Sequence, residues 1–511
     1  MNTARSPAAS VLHRVPGNCA LIIGSADLLA RRLDMVRAAG LKPALLDTDG
    51  GGSLPRGPRA LPGRLHDLSG WAGAFTARLA TARGPVDLAP LSYHADGHFD
   101  WVLDFSDQAT CAAELPPPGY YRLAADDYPG LKRALIEIAR SLREGFVKPE
   151  YLRFDAVRCL HARQGVAGCR RCLSTCPAGA IRAGSEAVHL ESMLCQGCLA
   201  CVPLCPTGAL QSSQRQPADV MADLEARLAG GGRQAAAAPE GLWIGAPEAL
   251  AEAPAGWLVW PAEAPAGLGP AIWLAALALG CRRVAIAPAR PASVQRTLQD
   301  AIALAQGLLT GLGLPPAVAS AADALTLPAI PALPPLPPAK LRAAGSERDL
   351  LLAALDHLAA ARSAAGALPL VDAPFGEVVV EAERCTLCGA CARLCPQAAL
   401  SLAGVEGLTF TEARCVQCGL CANACPEQAI ALRPRLLTDR SAREMPRRLV
   451  QATAPHCPGC GAPHAGPAPS TGSRVLAEQA RLRPELARLL ALCPECRQRA
   501  MAADLARAAP T

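Results

Sequence analysis

Three stretches of the chain hold four cysteines at one repeated spacing. "CQGCLACVPLCPTGAL" (195–210), "CTLCGACARLCPQAAL" (385–400) and "CVQCGLCANACPEQAI" (415–430) each read C-x2-C-x2-C-x3-C-P. Each then reaches Ala-Leu or Ala-Ile four residues past its last cysteine, so the stretches are copies of one unit. Thiolates are soft donors suited to zinc, copper(I) or iron–sulfur clusters. Three thiolates at steps of three let a tight loop wrap three corners of an iron–sulfur cube, while the proline turns the fourth toward another cube. A zinc site instead joins two distant C-x2-C knuckles, which four cysteines within eleven residues are not.

Residues 385–425 resemble the ferredoxin-type [4Fe–4S] dicluster domain. The resemblance implies crossed ligation. Cys385, Cys388 and Cys391 share a cluster with Cys425, and Cys415, Cys418 and Cys421 share one with Cys395. The 19 residues between Cys395 and Cys415 contain the strand-like "GLTFTEA", and "GEVVVEAE" lies similarly before Cys385.

A fourth copy is broken. "CRRCLSTCPAGAI" (169–181) supplies the second, third and fourth cysteines, with 18 residues between Cys176 and Cys195. The first is displaced by a seven-residue insertion, so that Cys159-x9-Cys169 replaces C-x2-C. Gly165 and Gly168 within the insert can bend the chain back at little steric cost. Cys159 is read as the missing corner, the alternative being a free cysteine beside a three-ligand cluster. Cys159, Cys169 and Cys172 then share a cluster with Cys205, and Cys195, Cys198 and Cys201 share one with Cys176. His161, Arg163, Arg170 and Arg171 lie in or beside the insert, where positive charge would favour a reduced cluster. A plain solvated loop is the alternative.

"HCPGCG" (456–461) and "LCPECR" (492–497) are two C-P-x-C knuckles separated by 32 residues. Cys457, Cys460, Cys493 and Cys496 look like the four ligands of one zinc in a ribbon. A fifth iron–sulfur cluster or a redox dithiol is the rival. His456 and His464 are read as surplus. Residues 431–511 carry 13 arginines against six acidic residues, which suits either a docking face for an acidic partner or a solvated helix face.

These devices need scaffolds. A chain of 511 residues exceeds one core. The reading is a multidomain α/β and α+β protein: an α/β domain (1–150), a first dicluster module (151–213), a middle α/β domain (214–372), a second module (373–435) and a zinc-ribbon-like segment (436–511). The N-terminal domain alternates: "CALIIG" strand, Ser25 as cap, "ADLLARRLDMVRAAG" helix, "LKPALLD" strand, then "FDWVLDFSD". In the middle domain "GWLVWPA" and "RRVAIAPA" are strands, while "GPAIWLAALALG" and "SVQRTLQDAIALAQGLLTGLG" are helices. Both regions are read as Rossmann-like, without a G-x-G-x-x-G loop. "LPAIPALPPLPPAK" (327–340) is read as a semi-rigid connector. Cys19, Cys111 and Cys281 are read as ordinary buried residues.

A net charge of +6 over this length gives no nucleic-acid footprint. No secretory signal or membrane span is expected, because the most apolar run, 264–281, is broken by glycine and proline. With 23 cysteines in an expected cytoplasmic setting, metal or redox chemistry replaces disulfides.

Clusters with every corner held by cysteine have no open site for substrate, so the expectation is an electron carrier, not an enzyme. "APFGEVVVEAERCTLCGACARLCPQAAL", "CVQCGLCANACPEQAIAL" and the displaced "CLHARQGVAGCRRC" also resemble a family of bacterial 4Fe–4S proteins associated with formate dehydrogenase. That likeness implies four [4Fe–4S] clusters and a formate-oxidising or related redox partner. The other readings are an oxidoreductase with a flavin or nucleotide site in its α/β regions, or a cluster-assembly scaffold.

Overall fold

The computed structural model describes residues 10–508 except 51–56, 108–109, 112, 235–239, 248–252, 254, 322–329, 342–345, 361–365, 403–406, 452–455, 463–477 and 479–480. The N-terminal domain is a parallel sheet in the order β3-β2-β1-β4-β5. Its strands are β1 (Cys19–Gly24), β2 (Lys42–Asp47), β3 (Arg59–Pro62), β4 (Trp101–Asp104) and β5 (Tyr120–Arg122). β1 is buried at every position, as an apolar run covered on both faces should be. Helices α1 (Ala26–Ala38) and α2 (Tyr128–Glu144) cover one face through Leu29, Leu33, Leu131 and Ile138. Phe75, Ala77 and Phe99 cover the other. Ser25 stands at the α1 N-cap but makes no side-chain cap bond. Asp47, from the end of β2, accepts from Ala26 N instead (3.1 Å).

The first module runs from β6 (Leu152–Phe154) to β11 (Leu210–Ser212), which pair antiparallel and close it at its two ends. Between them lie the hairpin β7 (Ala162–Arg163)/β8 (Val166–Ala167), the pair β9 (Ile181–Arg182)/β10 (His189–Leu190) and the short α3 (Cys201–Leu204). After α4 (Pro217–Gln234) comes the middle sheet, parallel throughout, in the order β13-β12-β14-β15. Its strands are β12 (Leu242–Gly245), β13 (Leu258–Pro261), β14 (Val284–Ile286) and β15 (Val318–Ser320).

Helix α5 (Pro270–Ala278) is buried from Ala271 to Ala278, packed between the sheet, α6 (Ala292–Gly311) and α7 (Glu347–Ala360). An apolar helix of this kind belongs in a protein core. Among the described residues no helix is long and apolar enough to cross a membrane. The described part of the proline-rich segment is not a spacer. Ile330 and Leu333 are buried, Leu333 N donates to Arg282 O (3.0 Å) and Ala339 N to Ala278 O (2.8 Å). Apolar residues between the prolines bind it to the sheet domain.

The second module holds β16 (Gly376–Val380), α8 (Ala390–Leu394), β17 (Leu400–Leu402), β18 (Gly407–Phe410), α9 (Leu420–Asn423) and β19 (Ile430–Leu437). It extends past the expected boundary at 435. β20 (Arg447–Gln451) adds to β18, and Arg435 and Arg447 both pair with the buried Glu412. Three of the 13 arginines of the basic tail, Arg435, Arg443 and Arg447, thus serve internal ion pairs, Arg443 meeting Asp356 at 2.6 Å. In the C-terminal segment, α10 (Pro484–Leu490) precedes the second knuckle and α11 (Pro494–Ala508) begins inside it. That knuckle opens a helix where a zinc ribbon would have a hairpin.

Candidate cluster and metal centres

The three unbroken motifs share one backbone path. The residues on either side of the second cysteine are left-handed: Gly197 and Leu199, Leu387 and Gly389, Gln417 and Gly419. A leucine or glutamine there costs about 1–2 kcal/mol, which the fold must offset. The second residue past each Cys-Pro is left-handed again, at Gly179, Gly208, Ala398 and Gln428. That turn aims the next N–H back at the cysteine. Ala180, Ala209, Ala399 and Ala429 donate to the sulfurs of Cys176, Cys205, Cys395 and Cys425 at 3.3, 3.1, 3.3 and 3.4 Å. The repeated alanine of the sequence motif is thus the donor position, and hydrogen bonds to sulfur are one control on cluster potential.

The sulfurs gather in fours. Cys176, Cys195, Cys198 and Cys201 line one hollow, Cys395, Cys415, Cys418 and Cys421 a second, and Cys385, Cys388, Cys391 and Cys425 a third. Cys172 lies close enough to Cys169, Cys205 and Cys159 for these thiols to raise its pKa, and burial above all pushes it up to about 12. Burial also pushes Cys198, Cys391 and Cys418 up to about 11. Bare thiols in such hollows stay protonated; a cationic iron–sulfur core is what holds them as thiolates. Four soft donors per hollow suit one [4Fe–4S] cluster each.

The insertion that displaces Cys159 is the hairpin β7/β8, turned at Gln164 and Gly165, both left-handed. β8 packs against α9 of the second module. Asn423 Nδ2 donates to Ala167 O (2.8 Å), and a Cβ on Gly168 would meet the Leu420 side chain at 2.9 Å. Arg171 reaches Asp372, just ahead of the second module, with Nη2 2.9 Å from Oδ1. Its guanidinium clamps the two modules; burial raises the pKa of the Cys169 thiol, and the guanidinium still lies near enough to lower it against that effect. Sequence reasoning reached the insert but not its use, because its partners lie more than 200 residues away.

Two cations from outside the motifs hold cluster loops. Lys148 donates to Ser192 O (3.1 Å), Met193 O (3.0 Å) and the Cys195 carbonyl. Arg348, at the start of α7, donates to Ala413 O (3.0 Å), Cys415 O (2.8 Å) and Pro374 O (2.6 Å). No spacing signal marks either residue. Beside Arg348, Glu347 faces an internal cavity, and burial pushes its carboxyl up to about 7. The folded chain therefore keeps a proton that the unfolded chain releases above about pH 4.5. The associated stability is present below that pH and is lost as pH rises through about 7. It amounts to at most about 3 kcal/mol. The Tm of the protein should fall between about pH 4.5 and 7, and that of Glu347→Gln should fall less; parallel profiles would rule this group out.

At the C-terminus the sulfurs of Cys457, Cys460, Cys493 and Cys496 lie within 4.8 Å of one another, with Cys460 and Cys493 3.7 Å apart. At a metal–sulfur length of about 2.3 Å, a tetrahedral ion spaces its thiolates at about 3.8 Å. A cubane would spread them further, since each sulfur reaches a different iron. The group therefore fits one mononuclear ion and not a fifth cluster. Backbone N–H groups of Cys493 (3.3 Å) and Gly459 (3.4 Å) hold the Cys457 thiol down at about 6. His456 is exposed, and His464 lies outside the described residues. Cys19 and Cys281 are buried, whereas Cys111 is only half-buried.

Residues 166–209 and 384–429 both match the family of 4Fe-4S dicluster domains. The chain carries two ferredoxin-type dicluster modules. The first match begins after Cys159, so the displaced cysteine and half of the hairpin fall outside the family pattern. No curated protein matches the chain. Iron–sulfur electron transfer is the function that two such modules support.

Proposed function

We propose that the chain is an electron relay holding four [4Fe–4S] clusters in line. Such clusters supply one-electron transfer with little movement. The order of close sulfurs carries the reading. Cys201 senses Cys172 within the first module, Cys418 senses Cys169 across the two modules, and Cys421 senses Cys391 within the second. The line thus runs from the Cys176/Cys195/Cys198/Cys201 set, through the set of Cys159, to the set of Cys415 and finally that of Cys385. Of the sixteen thiols only Cys388 is exposed, which makes its end the port for a redox partner. The partner class proposed is a formate-oxidising or related enzyme.

Anaerobic analysis should find about sixteen irons with matching sulfide; about eight would remove one module from the line. In fully reduced protein, magnetic coupling should extend across the modules. The Arg171→Ala/Asn423→Ala variant should keep its iron but weaken that coupling. It loses contacts worth roughly 2 kcal/mol in all. Coupling unchanged in the variant would mean that the hairpin does not set the approach of the two modules.

A further inference from the structure

A cavity of about 400 Å³ lies between the first module and the middle domain, within the size range of small-molecule sites. One wall comes from the cluster loops of the first module. Gly197 and Leu199 belong to the loop of Cys195 and Cys198, Cys205 closes the set of Cys159, and Arg348 is bonded to the Cys415 carbonyl. The opposite wall is the chain just past the carboxyl end of β13, Pro261–Ala264, which is where parallel α/β sheets take ligands. Leu199, Val202, Leu268 and Ile272 give the cavity an apolar patch, while Arg158, Arg215 and Glu263 line the polar part. At the edge Glu347 faces in from the first turn of α7, with no hydrogen-bond or charged partner among the described residues.

We propose that this cavity binds a planar redox-active ring of the flavin or quinone class, placed to exchange electrons with the centres of the first module. A ligand without redox chemistry would have little use for a wall drawn from the loops of two thiol sets. Reduction of such a ring takes two electrons, one from each of two iron–sulfur centres that are thereby oxidised, and two protons. Glu347 is positioned to supply one proton and water the other. The missing glycine-rich loop argues against a phosphate cradled at the turn from β13 to α5, but a ring needs no such loop. The ring would join a two-electron carrier to the one-electron relay, which goes beyond that reading. Binding itself requires only the cavity.

Equilibrium dialysis of the anaerobic holoprotein against flavin mononucleotide and, separately, menadione tests it. One of the two should bind at one per chain, and which one identifies the source of the ring. Ala264→Trp, at the wall away from the cysteines, should weaken binding at least tenfold with iron content unchanged. Should that variant lose iron, Leu268→Phe fills the same space. Binding of neither probe, or binding that neither cavity-filling variant weakens, overturns the proposal. A low iron count with binding intact would instead count against the relay.

Discussion

Cys159→Ser is expected to damage one cluster of four and spare the other three. Serine keeps the size of the side chain but offers a harder oxygen of much higher pKa, so the iron at that corner becomes labile. Iron should fall from about sixteen to about fifteen if a [3Fe–4S] species survives, or to about twelve if the whole cluster is lost. A new paramagnetic signal in the oxidised protein marks the first outcome. Cys159 is grouped with Cys169, Cys172 and Cys205 even though its motif is broken, because the hairpin between Ala162 and Ala167 spans the gap. Cys169 N bonds to Leu160 O (2.7 Å) and Gly168 N to His161 O (2.7 Å), which returns the chain to the level of Cys159. Cys111→Ser is the control: that cysteine is half-buried against the N-terminal core and belongs to none of the four sets. Unchanged iron and spectra in Cys159→Ser would leave that cluster with three cysteines and make Cys159 a bystander.

Stripping the C-terminal ion should unfold the segment from Cys457 to α11 while the dicluster modules keep their iron. Among the described residues there, the buried apolar side chains reduce to Leu492 beside Cys457 and Cys493, too few to offset the entropy of ordering the chain. The ion must supply the difference, and structural zinc with four thiolates contributes on the order of 10 kcal/mol or more. Mass spectrometry under native conditions should find one zinc per chain. Cys493→Ser, or a strong chelator, should abolish hydrogen-exchange protection along Pro494–Ala508. A protected helix without zinc, or iron at the site, would overturn the zinc assignment.

Spacing along the chain determined a great deal of this protein. A thiol repeat at steps of three is a local instruction, carried out within one loop by left-handed residues beside the second cysteine. It therefore survives any arrangement of the rest. Strands such as Cys19–Gly24 and the buried helix Pro270–Ala278 were equally legible, because a run apolar at every position has only a doubly covered place to go. Distant partners changed two readings. Ser25 stands at the N-cap as expected but makes no side-chain cap bond, and Asp47 from the neighbouring strand accepts from Ala26 N. The proline-rich segment looked like a spacer, but Leu333 and Ala339 bond to the sheet domain.

Only the tertiary structure decided how the parts face each other. The seven-residue insert reads in sequence as a defect in a motif; in three dimensions it is the hairpin on which α9 of the second module rests. Lys148 and Arg348 hold cluster loops that begin far along the chain, and Glu347 is half-buried because two domains close around it. Local chemistry depends on neighbours in sequence, whereas the order of the clusters and the cavity beside them depends on contacts between segments as much as 256 residues apart. Long-range packing of that kind leaves no periodic trace in the chain.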